Sequence, residues 1–458
     1  MKHRETVPTG QRRPLFNHEW RAVTFRTDTD ELVFLDFCKY ELEHKLLREN
    51  GQFLLSAADF QKIYAPDLKL RTDGDAIHLE FENYIQHIDL TDPTMAICKD
   101  RQIIGGIPYL PVTDILECSL EAGKLEIKTE EGTKKLSAGP RYVEDILYLP
   151  AVEILEQAFG ANVQVFHEGA ERTFWAKPVC VRDTVCVSFD PSFRLTGDYA
   201  GVLTRAMTKT CGDIYETYWF EAGNRIMPYR LYVPFAYRAG TPHKALVTFP
   251  GGLANENSYY NRIPHGGLQR TAEKHDFMIV GLTGYGVSTF FGSMIPILQT
   301  LDGIDAAQAN PDNPEDWPEE TLYLRRLAEK GMWEALRVVE QRWSIDRQNL
   351  FAMGNSAGSD TTMYYFLNFP GLFKAAVPTG GFINYNFADM SGIKPDTMLH
   401  IIGTEDEHGF NDMIRAYAEL DRLGVQYRKR IVGGGNHPLS WTFAVDEIFD
   451  FLDEKAGQ

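Results

Sequence analysis

Asn349-Leu-Phe-Ala-Met-Gly-Asn-Ser-Ala-Gly358 is the stretch on which the reading of this chain turns. Leu350 to Met353 is an apolar run of strand length, and the residues after Gly358 carry Met363, Phe366 and Leu367 at helical spacing. The serine between them therefore stands at a strand-to-helix turn. Such a turn holds its central residue in a strained conformation and brings strand and helix almost into contact, so small residues are required two before and two after it. Gly354 and Gly358 occupy those positions, and Ser356 is the expected nucleophile.

Outward from this turn the chain alternates strand and helix signals. Leu231–Pro234, Ala245–Phe249, Phe277–Leu282, Leu350–Met353, Ala375–Pro378, Met398–Gly403 and Tyr427–Val432 read as strands, with helical patterns near 321–342, 357–368, 411–424 and 441–455. Alternation of this kind predicts an α/β domain with a mostly parallel sheet, in which sites lie at the carboxyl ends of the strands. Asp406 follows one such strand in Gly403-Thr-Glu-Asp. His437 follows the next in Gly433-Gly-Gly-Asn-His-Pro, where three glycines let a loop fold back toward Ser356. A serine hydrolase needs a nucleophile, a base and an acid that orients the base, and Ser356, His437 and Asp406 supply them in the chain order the motif requires. Glu405, Glu407 and His408 crowd the acid; Asp406 is the choice among them. For the oxyanion the expected donors are the N–H of Ala357, next to the nucleophile, and that of Gly252 in Pro250-Gly-Gly-Leu, where bare backbone follows a strand. No metal or organic cofactor is expected. The acidic, Pro-rich segment 289–320 reads equally as a cap over the pocket or as a surface insertion. The aromatic pairs Tyr259-Tyr260, Phe290-Phe291 and Tyr364-Tyr365, with Trp441, are candidates to line an acyl or aryl pocket or to fill the core.

These motifs, with Tyr229-Arg-Leu-Tyr-Val-Pro234 and Ile345-Asp-Arg-Gln-Asn349 upstream, resemble the α/β-hydrolases, and among them the feruloyl and acetyl esterases and polyhydroxybutyrate depolymerases. The resemblance spans about residues 215–458. It implies a carboxylic-ester hydrolase with an acyl-Ser356 intermediate, acting on a small-molecule or carbohydrate-linked ester of aryl, acetyl or feruloyl type. A serine peptidase of the same fold is the alternative, and a binding protein with a retired hydrolase domain is another. One departure is that those relatives usually place His-Gly where this chain has Pro250-Gly251.

At 458 residues two domains are expected: an N-terminal α+β repeat domain over 1–200 and a catalytic domain over 205–458, with 190–215 as connector. Ile107–Leu116 aligns without gaps to Ile146–Leu155, an offset of 39 residues, each copy predicting an extended piece, a proline and a short helix; a fainter third copy begins at Phe53-Leu54 and runs through Ser56–Tyr64. Ile103-Ile-Gly-Gly-Ile107 reads as a hairpin, and Lys39–Asn50 as a charged helix. About residues 50–170 resemble the hairpin-and-helix repeats named after the N-terminal stalk domain of copper amine oxidases, which implies a spacer or interaction module and a possible homo-oligomer. His78 and His87 read as stray surface histidines rather than metal ligands. The net charge of −18 argues against nucleic acid or an anionic membrane as partner, and no apolar run reaches membrane-spanning length. Six scattered cysteines and a basic, then polar N-terminus without an apolar stretch give a cytoplasmic expectation, with a Cys180–Cys186 disulfide left open.

Overall fold

The computed structural model describes residues 2–3, 20–65, 67–83, 102–104, 107–109, 114–168, 182–190, 193–252, 254–260, 267–285, 290–293, 319–381, 392–407 and 409–457. Its chain divides into two compact units, one of Met1–Arg12, Glu19–Lys209 and Glu216–Ile226, the other of Arg13–His18, Thr210–Tyr215 and Met227–Gln458.

In the second unit the sheet order is Arg225–Val233 (from residue 227 on), Met278–Leu282, His243–Phe249, Ile345–Asn355, Ala376–Thr379, Leu399–Glu405 and Arg428–Asn436. Only the first of these pairings is antiparallel; all the rest are parallel. The central strands are apolar on both faces, as burial by helices on both sides demands: Ala245 to Val247, Phe249 and Leu350 to Met353 are at most 1% exposed. Helices Glu319–Arg342, Ala357–Asn368, Phe410–Arg422 and Val445–Ala456 fall where the periodicity puts them. Helix Gly267–His275 has no counterpart in the reading, because its nine residues bury only one short stripe.

The last strand differs from expectation. Gly433–Gly435 are not a loop but continue the strand to Asn436. Between the pairs Gly403↔Val432 and Glu405↔Asn436 the outer strand takes two extra residues, a bulge that needs Gly434 at φ 70°. Close approach accounts for Gly403 and Gly435, since a Cβ on Gly403 would lie 1.9 Å from the Gly435 carbonyl oxygen, whereas one on Gly433 would meet nothing within 4 Å.

The first unit contains a hairpin-and-helix motif twice, at an offset of 94 residues rather than 39. Strands Leu47–Glu49 and Gln52–Ser56 lead into helix Ala57–Ile63, and strands Arg141–Val143 and Ile146–Pro150 lead into helix Ala151–Gln157. Both hairpins turn through two residues of positive φ, Asn50-Gly51 and Glu144-Asp145. The third helical residue of each copy is a buried acid that accepts from two successive backbone N–H groups 16 and 15 residues upstream: Asp59 from Glu43 and His44, and Glu153 from Ser137 and Ala138. The inner strands pair antiparallel with Leu55 opposite Leu149, so a local twofold axis passes through that pair.

The fainter copy is thus the structural partner, and the one at 107–116 is not. Asp114–Glu121 is a strand, paired along its length with Ala76–Asn83, because Leu116, Cys118 and Leu120 alternate toward the core. Ahead of it, Gln102–Ile104 and Ile107–Tyr109 do pair as a hairpin. Lys39–Asn50 is not helical; Cys38–Glu41 continues a meander of Val23–Arg26 and Leu32–Leu35. The expected connector contains helix Gly197–Thr208, whose N-cap Thr196 accepts from the Tyr199 N–H and whose Ala200 and Leu203 are buried. Cys186 is a buried free thiol 2.8 Å from the Thr24 hydroxyl, and His78 is exposed. Cys180, His87 and nearly all of 289–320 lie outside the described residues.

Candidate active site

Strand Ile345–Asn355 and helix Ala357–Asn368 meet at Ser356, which is held at φ 58°, ψ −124°. A left-handed φ in a non-glycine residue costs roughly 1–3 kcal/mol and persists only where neighbours determine it. Here the Ser356 N–H donates to the Thr379 carbonyl at 3.0 Å, and its own carbonyl accepts from the Ser359 N–H at 2.7 Å. The flanking glycines are sterically required. A Cβ on Gly354 would sit 1.8 Å from the Gly358 carbonyl oxygen, and one on Gly358 2.0 Å from that of Phe249.

His437 Nε2 lies 2.8 Å from Ser356 Oγ, and its Nδ1 lies 2.9 and 3.0 Å from the two carboxylate oxygens of Asp406. The Asp406 side chain is fully buried; the imidazole is partly open to solvent. Asp406 also accepts from the Gly409 N–H at 3.0 Å, so the loop ahead of helix Phe410–Arg422 fixes the carboxylate. Glu405 and Glu407 are exposed, and His408 lies outside the described residues. The three side chains singled out from sequence are therefore brought into one hydrogen-bonded chain, with both imidazole nitrogens engaged. A fully buried histidine on a strand of this sheet, His400, is bonded to the Tyr417 hydroxyl, and burial pushes its pKa down to about 4. It is neutral at physiological pH.

Beside Ser356 lies a cleft of about 120 Å³ lined by Gly251, Gly252, Ala254, Ser258, Tyr259, Asn355, Ser356, His437, Pro438 and Trp441. Gly252 is thus placed at the cleft. Ala357 is the first helical residue, so its N–H has no carbonyl of its own helix to bond. Of the expected aromatic lining, Tyr259 and Trp441 alone line the cleft among the described side chains. Their rings are 5.0 Å apart, Tyr259 donates to the Phe249 carbonyl at 3.1 Å, and Trp441 Nε1 donates to the Pro438 carbonyl at 3.1 Å. Tyr260, Phe291 and Tyr365 are core: Phe291 and Tyr365 pack on Phe249, and the Tyr260 hydroxyl donates to the Arg230 carbonyl.

Two polar residues escaped the sequence reading. Arg230 is buried, with its guanidinium 4.1 Å over the Tyr260 ring and 4.6 Å over that of Tyr215, and donates to Asn257 Oδ1 at 2.9 Å. It thereby pins the turn that carries Ser258 and Tyr259 to the cleft. Asn355, just ahead of the serine, donates through Nδ2 to the carbonyls of Thr379 and His437 at 3.1 and 3.2 Å. Nothing marks Arg230 in the sequence beyond its place in an apolar strand; Asn355 was hidden as the unspecified position of the motif. Among the described residues no group of three His, Cys, Asp or Glu is arranged to hold a metal ion, and no helix is long and apolar enough to cross a membrane.

A family model described as the prolyl oligopeptidase family matches residues 332–437, less than half of the chain but inclusive of Ser356, Asp406 and His437. No curated protein matches. Solved structures similar to this chain include a fluorophosphonate-binding serine hydrolase from Staphylococcus aureus, at 14% identity over 53% of this chain and 98% of that one, TM-score 0.40. An S-formylglutathione hydrolase from Agrobacterium tumefaciens is similar at 13% identity over 53% and 95%, TM-score 0.40. A ferulic acid esterase from Anaeromyces mucronatus, bound to ferulic acid, is similar at 16% identity over 54% and 94%, TM-score 0.38. Likeness at this level carries no argument about chemistry, which rests on the site itself. The family match leaves residues below 332 untouched, and the likeness of 50–170 to amine oxidase stalk repeats finds no support in these comparisons.

Proposed function

We propose that the chain is a serine hydrolase of carboxylic esters working through an acyl-Ser356 intermediate. What carries the reading is the bond between His437 Nε2 and Ser356 Oγ at 2.8 Å, on a serine already strained toward the cleft, with Asp406 behind the imidazole. In the first half-reaction His437 takes the Ser356 proton as Oγ attacks the acyl carbon, then returns it to the leaving alcohol; water repeats the cycle and releases the acid. The buried carboxylate holds the tautomer in which Nε2 is the acceptor and stabilises the imidazolium when it forms. The N–H groups of Ala357 and Gly252 are the proposed oxyanion donors, each worth roughly 3 kcal/mol in the transition state.

A second reading, serine peptidase, is favoured by the prolyl oligopeptidase match. Amide bonds demand protonation of a poorer leaving group, so the two readings separate on paired ester and anilide substrates of the same acyl group. The substrate is proposed to be an aryl, acetyl or feruloyl ester. A fluorophosphonate probe should label the wild type at Ser356 and leave Ser356→Ala unlabelled. An unlabelled wild type sinks both readings and restores the retired-hydrolase alternative. The first unit is proposed to contribute no catalytic group and to act as a spacer or association module, in an enzyme placed in the cytoplasm.

A further inference from the structure

We infer that Asn355 is a positioning residue that holds His437 over the nucleophile, an assignment resting on the serine-hydrolase reading above. His437 follows directly on the bulged end of strand Arg428–Asn436, where three glycines run together and Gly434 is at φ 70°. Glycine backbones lose more freedom on ordering than any others, so a bond to the His437 backbone itself narrows where this strand end places the imidazole, beside the hold of Asp406 on Nδ1. Asn355 provides one from the nucleophile's own strand. Its Nδ2 donates one hydrogen to the Thr379 carbonyl at 3.1 Å and the other to the backbone carbonyl of His437 at 3.2 Å. The Thr379 carbonyl also accepts the Ser356 N–H at 3.0 Å, so one oxygen ties the elbow and the tether together.

The surroundings are shaped to this bridge. Gly380 stands at φ 51°, and a Cβ there would lie 2.5 Å from both Asn355 Nδ2 and the His437 carbonyl oxygen, so bare backbone is required beside the bonds. Asn355 is 9% exposed, which leaves these bonds little competition from water. Only a side chain with two donors on one nitrogen at this short reach satisfies both carbonyls. Aspartate has the shape and no donors, and alanine has neither. Asn355 touches no reacting atom; it acts through the backbone of the base.

Because a misplacement of about 1 Å between base and nucleophile can cost ~100-fold in rate, Asn355→Ala should lower the acylation rate on a small aryl ester by about 10- to 100-fold, with KM changed less than about threefold. Rates are counted per active site titrated by the fluorophosphonate probe, so loss of folded protein alone does not move them. Asn355→Asp should lose at least as much, and its new carboxylate, which favours the imidazolium, should carry the acidic limb of the rate profile to higher pH. A further readout is the downfield proton of the His437–Asp406 hydrogen bond in the one-dimensional NMR spectrum, which should weaken or shift in both variants. If Asn355→Ala does not fold, Asn355→Asp is read by the same measurements. A labelled wild type beside an Asn355→Ala variant with acylation within twofold and an unmoved proton overturns this inference while leaving the hydrolase standing. A wild type that the probe does not label at Ser356 takes both down.

Discussion

Gly358→Ala tests whether the elbow is fixed by steric contact. The added Cβ would lie 2.0 Å from the Phe249 carbonyl oxygen and 2.7 Å from that of Pro250. Both obstacles are backbone, at the end of the strand that leads to Gly251 and Gly252, so no rotamer change relieves them. Cβ atoms essentially never come within 3.0 Å of such a neighbour, so the helix start and the strand end must separate by about 1 Å. Forced separations in a packed interior cost ~1–3 kcal/mol, and at ~2 kcal/mol a unit of this size loses roughly 4–8 °C in Tm. The larger effect is on rate. Ser356 rides on the displaced helix start while His437 sits in the turn after another strand, and a shift of that size from a 2.8 Å bond breaks proton transfer at a cost of ~100-fold in kcat/KM. Gly424→Ala is the control: it sits at φ 71° with nothing within 4 Å of its Cβ, so it adds strain of ~1 kcal/mol without touching the site. Thermal melts and p-nitrophenyl acetate turnover of both variants decide the matter. A Gly358→Ala enzyme with wild-type kcat/KM, or a Gly424→Ala enzyme that loses rate at unchanged substrate binding, refutes the reasoning.

Asp406→Asn should lower kcat by about 10²–10⁴-fold, because the amide no longer fixes the tautomer, whereas Glu405→Gln and Glu407→Gln, at exposed positions, should stay within about twofold in the same assay. Asp59→Ala and Glu153→Ala each strip a buried acceptor from two backbone N–H groups and should each destabilise the first unit by about 1–3 kcal/mol in urea melts, leaving turnover of a small ester intact. The Arg428 and Lys455 partners of Asp396 hold its carboxyl at about 2, below the usual aspartate range. A depressed acid stabilises above its unfolded pKa and loses that contribution as pH falls through the folded one, so stability should decline from about pH 4 toward pH 2. Arg428→Met should flatten that part of the Tm-against-pH curve; an unchanged curve would show that the pair contributes nothing to folding.

Much of the second unit was legible because its strands are apolar on both faces and its helices amphipathic, two patterns that local sequence displays without knowledge of partners. The elbow was legible for a steric reason: Gly354 and Gly358 are the only residue type that fits. The sequence reading prefers Asp406 over Glu405 and Glu407, but which of the three adjacent acids turns inward depends on the Gly409 N–H and the imidazole rather than on the run itself. Asn355 and Arg230 act through backbone carbonyls and ring faces, which leave no spacing to read. In the first unit the closest sequence copy misled, because Ile115 and Leu116 fit a helical stripe as well as an alternating strand. The partner strand Ala76–Asn83 decided between them. Asn50-Gly51 was the available signal for the true repeat, a two-residue hairpin turn.

The local twofold through Leu55 and Leu149 also bears on how the first unit meets other molecules. Two hairpin-and-helix modules on separate chains would join through these inner strands as an isologous pair; here both halves reside in one polypeptide, and that self-complementary seam is already closed. What this small sheet leaves at its rims are Leu47–Glu49 and Arg141–Val143, three residues each, with Arg141 ion-paired to Glu49 at 2.7 Å. Rims so short and so charged are poor templates for adding a foreign strand. Any association through this sheet would therefore have to use side-chain and helix surfaces rather than strand addition, and the duplication guards against runaway edge-to-edge assembly.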